Sequence, residues 1–156
     1  MTHGNGPYNF KMNTSTLTPA ELAGMIDHTF LKPFGMVSDI EKLCCEAREY
    51  GFAMVAINPA EVRNCVRLLA GSPVRVGAAI GFPLGQNTVE IKFAETRDAI
   101  GNGATEIDTV INIRALQSGH PDVVRCEISD MVNLWAPQSK TVYDQQQITN
   151  CQLYEN

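Results

Sequence analysis

The sequence predicts an α/β protein with a parallel sheet covered by helices and, within that class, part of a (β/α)8 (TIM) barrel. Three observations carry this. Four short apolar segments, at 26–29, 53–57, 75–80 and 106–112, lack clean polar alternation, as strands buried on both faces do. Amphipathic helical segments separate them at steps of roughly 20–30 residues, the rhythm of strand-helix units. Finally, Asp27 and Asp108 sit inside otherwise apolar strands. A doubly wound sheet also fits the rhythm, but it would bury those charges and oblige them to find partners. A barrel offers them a wet upper interior. A whole barrel needs about 200–250 residues, so a chain of 156 residues holds about the first four to five units.

The elements follow in order. Thr18-Pro19-Ala20-Glu21 supplies an N-cap, a proline at the first helical position and an acid at the third, opening a short helix that ends near Gly24. Ile26-Asp27-His28-Thr29 is the first strand, closed by Lys32-Pro33. Ser38-Asp39-Ile40-Glu41 reads as a second capping box, Ile40, Leu43, Cys44 and Ala47 keep helical spacing, and Gly51 fits the position just past the helix. Ala53 to Ile57 is the second strand. Asn58-Pro59-Ala60-Glu61 starts a helix with Val62, Val66 and Leu69 on one face and Gly71 at its end. Arg75 to Ile80 is the third strand, Gly81-Phe82-Pro83-Leu84-Gly85 a turn, and Asn87 with Glu90 the cap of a helix running to about Ile100. Glu106 to Asn112 is the fourth strand. A helix from Pro121 to Trp135 places Val124, Ile128, Met131, Val132 and Trp135 in register. Lys140 to Asp144 reads as a weak fifth strand, after which the chain is polar and aperiodic. The expected organisation is a loose tail over 1–16, a partial barrel over 17–136 and a divergent tail over 137–156.

Composition bounds the function. With 44% hydrophobic and 19% charged residues the chain reads as an ordinary soluble domain, expected in the cytoplasm. A net charge of -5 weighs against nucleic acid or an acidic membrane as partner, and no run is long enough for a membrane span. The five cysteines (Cys44, Cys45, Cys65, Cys126 and Cys151) have no metal-ligand spacing and are expected to be reduced thiols.

Three constellations could carry chemistry. Asp27, His28, Thr29 and Lys32 gather a carboxylate, an imidazole, a hydroxyl and an amine at one strand end, the materials of a proton relay. They could equally be a capped strand end with a surface lysine. Glu106 and Asp108 share one side of their strand by alternation. They could divide acid and base roles, or one could pair with a strand-end Arg or Lys. The Gly81–Gly85 turn feeds a helix and could hold a phosphate, though it matches neither nucleotide fingerprint and also reads as a simple turn.

Taken together, four collinear segments resemble the deoxyribose-phosphate aldolases. They are Met25-Ile26-Asp27-His28-Thr29-Phe30-Leu31-Lys32-Pro33, Val55-Ala56-Ile57-Asn58-Pro59, Ile80-Gly81-Phe82-Pro83-Leu84-Gly85, and Lys92-Phe93-Ala94-Glu95 continued by Gly103 to Ile113. The resemblance implies a class I aldolase on a (β/α)8 barrel with no metal and no cofactor. Its substrate would be a small phosphorylated sugar, 2-deoxy-D-ribose 5-phosphate, cleaved reversibly to D-glyceraldehyde 3-phosphate and acetaldehyde through a lysine Schiff base, in deoxyribonucleotide catabolism. It assigns Asp108 to the proton relay and Asp27 to the same network. Ala56 stands where many members carry a cysteine that the chemistry does not require.

The family's later strands carry Lys-Thr-Ser-Thr-Gly, with the Schiff-base lysine, and Lys-Pro-Ala-Gly-Gly, with its partner lysine; neither string occurs in this sequence. Of the five lysines, Lys11 is in the tail, Lys42 and Lys92 read as solvated helix positions beside Asp39, Glu46 and Glu95, and Lys140 precedes its strand. Lys32 alone lies near the catalytic end, as a candidate replacement. The rivals to an active aldolase are therefore an inactive, truncated half barrel and an interaction module completed by a second chain. Self-association through exposed sheet edges belongs to the latter.

Overall fold

The computed structural model describes residues 17–135. They form α1 (Pro19–Ala23), β1 (Asp27–Phe30), α2 (Val37–Tyr50), β2 (Met54–Ile57), a 3-10 turn (Pro59–Glu61) running into α3 (Val62–Leu68), β3 (Arg75–Ile80), α4 (Val89–Gly101), β4 (Glu106–Thr109), α5 (Ile113–Gln117) and α6 (Pro121–Trp135). The tail expected over 1–16 and the segment 137–156, with its candidate fifth strand at 140–144, lie outside the described residues.

The four strands are all parallel and lie in chain order, β1-β2-β3-β4. Every unit therefore steps the same way, as in a barrel; a doubly wound sheet reverses direction at a switch point. These are four units of a (β/α)8 fold. One face of the sheet is sealed. Val55, Ile57, Val76, Ala78 and Ile80 join Ile40, Leu43 and Ala47 of α2, Val62 and Cys65 of α3, Ala99 of α4 and Met131 of α6 in one core, with Phe30 and Ile107 packed against it.

Local chemistry sets the boundaries. The capping box of α1 is present, with Thr18 Oγ1 accepting from Glu21 N at 3.2 Å and Thr18 N donating to Glu21 Oε2 at 2.8 Å. Gly51 ends α2 with a φ of 69°, which a residue with a Cβ adopts only at a cost. Two helix starts and one strand end differ from the expectation. The box at Ser38 is replaced by a start at Val37, where the Asp39 carboxylate accepts Met36 N at 2.8 Å. The cap of α4 is Thr88, not Asn87. The fourth strand stops at Thr109 because Asn112 turns to cap α5, its Oδ1 accepting Ala115 N at 3.0 Å.

Helix α6 spans the predicted residues, but its apolar stripe divides. Val124 and Met131 are buried, whereas Ile128 and Val132 are 42% and 49% exposed. Those two, with Met131, Ile107, Thr109 and Glu106, line a groove of about 260 Å³ beside β4. Cys44, Cys45 and Cys65 carry free thiols, and the hydrogen bond from Cys44, then burial, pushes the Cys65 thiol up.

Candidate active site

Strand alternation splits the first constellation. His28 turns to the helix side, its Nε2 2.9 Å from Glu46 Oε2 of α2 and its ring 4.8 Å from that of Phe52. That contact, followed by the charge of Lys42, holds the Glu46 carboxyl below the usual carboxylate range. Asp27 and Thr29 face the opposite, inner side and are exposed; Thr29 Oγ1 donates to the Asp27 carbonyl at 2.9 Å. Lys32 does not join them. Its ammonium lies 5.9 Å from the centroid of Phe30, in a groove lined by Phe30, Pro33, Ile40, Asn58 and Glu61.

Alternation keeps Glu106 and Asp108 on one side of β4, and their fates differ. Glu106 is ion-paired to Arg75 of β3 at the N-terminal end of the strands. Asp108 sits near the C-terminal end and has no ion pair among the described residues. Met54 and Asp108 both reach over Gly77: a Cβ placed there would lie 2.9 Å from Met54 Cε and 3.5 Å from Asp108 Oδ2. Although solvent reaches Asp108, the surrounding sheet strips part of its hydration. That loss, then the charges of Asp27 and Glu106, raises its carboxyl above the ordinary value. The inner face thus presents two carboxylates, Asp27 and Asp108, over a floor of Ala56, Gly77 and Ala79.

Two amides of the Gly81–Gly85 turn are already bonded within the protein. Gly81 N donates to Glu95 Oε2 at 2.8 Å and Gly85 N to the Gly81 carbonyl at 2.8 Å, so the simple-turn alternative holds for both glycines. Sequence reasoning misplaced Lys92. It is fully buried, paired with Glu127 of α6, and donates to the Val110 carbonyl at 2.7 Å. The nearby Glu95 had suggested a solvated pair along α4, and nothing local signals Glu127. Among the described residues no group of three or more His, Cys, Asp or Glu side chains could hold a metal ion. No helix among them is long and apolar enough to cross a membrane.

Four parallel units with exit loops built on Lys32-Pro33, Asn58-Pro59 and Gly81 to Gly85 can be set beside known proteins. No family model matches the chain. Over 123 residues it is 72% identical to the deoxyribose-phosphate aldolase of Bacteroides thetaiotaomicron, a match covering 79% of this chain and 52% of that protein. Over most of its length this chain is homologous to the deoxyribose-phosphate aldolases. The Brevibacillus brevis deoxyribose-phosphate aldolase is 55% identical over 104 residues, 67% of this chain and 47% of that protein. Among solved structures, the tetrameric deoxyribose-phosphate aldolase of Aeropyrum pernix superposes with a TM-score of 0.68 at 32% identity, over 78% of this chain and 56% of that one. The chain spans about half the length of the curated relatives it matches.

Proposed function

We propose that this chain supplies the proton-handling half of a deoxyribose-phosphate aldolase site. The reaction is the reversible cleavage of 2-deoxy-D-ribose 5-phosphate to D-glyceraldehyde 3-phosphate and acetaldehyde, part of cytoplasmic deoxyribonucleotide breakdown. The observation that carries this reading is the contrast on β4. Arg75 neutralises Glu106, while Asp108 keeps a carboxyl without an ion pair, with a raised proton affinity and Asp27 nearby. A carboxyl held above its ordinary range can take and return a proton as a Schiff base forms and collapses.

The attacking amine must be neutral and reachable. Lys92 is buried in an ion pair, Lys42 sits on α2 with its ammonium 3.7 Å from Glu46, and Lys32 lies over Phe30. None of these described lysines is built as that amine, so in this reading the amine comes from strands that complete the barrel, and the chain is expected to form no Schiff base alone. Borohydride reduction with 2-deoxyribose 5-phosphate, followed by mass spectrometry, tests this. The chain alone should gain no mass. Mixed with a separately expressed C-terminal half of the 72% identical relative, it should support an adduct on that half. An adduct on Lys32 would overturn the assignment.

A second reading is an interaction module completed by a second chain. The outer edges of β1 and β4 pair with no strand among the described residues. Beside β4, Ile128 and Val132 line an open groove, and the buried Thr109 Oγ1 has no hydrogen-bond partner among the described residues. Apolar edges of this kind attract further strands. Light scattering during gel filtration separates the two. A dimer that Val132→Asp dissociates favours this reading, and a monomer at every concentration removes self-association.

A further inference from the structure

The buried Lys92–Glu127 pair is a device that the aldolase chemistry does not use directly. Lys92 is 0% exposed and Glu127 2%, and their side chains form an ion pair between α4 and α6. Removing two charges from water is costly, and apolar residues of similar volume often serve stability as well or better. What an apolar pair cannot do is bind backbone. Lys92 Nζ donates to the Val110 carbonyl at 2.7 Å, and Glu127 Oε2 accepts the Asn112 amide at 3.2 Å.

Those two backbone groups lie where the sheet ends. The last sheet-like bond of this strand is Val110 N to the Ile80 carbonyl at 2.9 Å. Beyond it the chain turns, and Asn112 Oδ1 caps α5 by accepting Ala115 N at 3.0 Å. The exit loop of β3 is tied to the same helix. Gly81, with a φ of 65°, leaves room for Lys92 Cε, which would lie 3.0 Å from a Cβ there, and Glu95 accepts Gly81 N at 2.8 Å. Thus α4 grips both exit loops at the end where Asp108 stands, two residues before Val110.

We propose that the Lys92–Glu127 pair is a positioning element that fixes Val110–Asn112 at the exit of β4 and, through it, the inward placement of Asp108. This deepens the reading above, since the placement of Asp108 matters to the reaction only if Asp108 handles a proton. The charged groups that act on Asp108 are Asp27 on β1 and Glu106 on its own strand, the latter already paired with Arg75.

The test needs no turnover, so its failure can be told apart from failure of the aldolase reading. In the unmodified chain, amide exchange should show Asn112 protected; a freely exchanging Asn112 overturns the proposal at once. In Lys92→Met/Glu127→Leu, which restores an apolar interior, the protection of Asn112 should fall by about tenfold or more, as a locally opened segment does. The Asp108 carboxyl, followed by carbon-detected NMR titration, should move toward the ordinary carboxylate range. If this double variant folds with both Asn112 exchange and Asp108 titration unchanged, the pair is structural only and the proposal fails. Should the double variant not fold, Glu127→Gln keeps the shape but turns one of the two accepting oxygens into a donor and removes the charge, and the same two readouts decide.

Discussion

On the outer face of the sheet, Val55, Ile57, Val76, Ala78 and Ile80 lie beneath helices, while on the inner face Asp27, Thr29 and Asp108 stand open to solvent. The same alternation produces both surfaces, one residue apart along each strand. The outer set is aliphatic, branched at all positions but Ala78, and holds the fold together. The inner set, Met54 apart, is small or polar: Ala56, Gly77 and Ala79 leave space, and the carboxylates project into it. Stability and chemistry are thereby assigned to opposite sides of four short strands. An aliphatic substitution in the outer core should leave the inner carboxylates nearly untouched, and an inner substitution should cost far less stability than an outer one.

The largest expected effect is on the outer side. Glu127→Leu alone leaves Lys92 buried without its counter-charge, and denaturant unfolding should register a loss of about 3–5 kcal/mol. Ile57→Ala should follow at about 3 kcal/mol, from a fully buried side chain whose cavity the surrounding helices cannot close. Ile57→Ala leaves the inner carboxylates untouched, whereas Glu127→Leu also removes the acceptor of the Asn112 amide at the exit of β4. If Asp27→Asn proved as destabilising as Ile57→Ala, the division between the faces would be broken.

Much of the outer architecture was legible because its signals are local. Thr18 and Glu21 lie three residues apart, and the spacing of Ile40, Leu43, Cys44 and Ala47 is visible within one helix. Contacts across long separations were not legible. Lys92 beside Glu95 looked like a solvated pair because the sequence hides the carboxylate of Glu127, 35 residues on. Alternation placed Glu106 and Asp108 together, but only the β3–β4 register, Gly77 against Glu106, brings Arg75 within reach of one and not the other. The apolar stripe of α6 read as one surface. Its division between core and open groove depends on what lies beside β4, which no periodicity records. The turn into α5 left a trace in Asn112, a good capping residue that had been read as the end of a strand.

The smallest effects sharpen the comparison, because the two faces hold carboxylates displaced in opposite directions. Glu46, on the helix side, has its carboxyl lowered by His28. Its folded form binds fewer protons than the unfolded chain in that range, so it contributes stability above the ordinary carboxylate value, and this is lost as pH falls through the folded one. Glu46→Gln should therefore lower Tm slightly at neutral pH, with no difference in strong acid. Asp108, on the inner side, has its carboxyl raised by desolvation and then by Asp27 and Glu106. Here the folded form binds more protons, so stability falls as pH climbs from the unfolded value to the folded one, and the ionised Asp108 is a standing cost at neutral pH. Asp108→Asn should raise Tm at neutral pH, and the gain should vanish below the ordinary carboxylate range. Paired thermal melts of the two variants across acid pH check both signs. A carboxyl retained against stability on the open face is what a site would keep and a scaffold would discard. If Asp108→Asn instead lowered Tm at neutral pH, Asp108 would be a structural residue, and the inner face would lose its claim to chemistry.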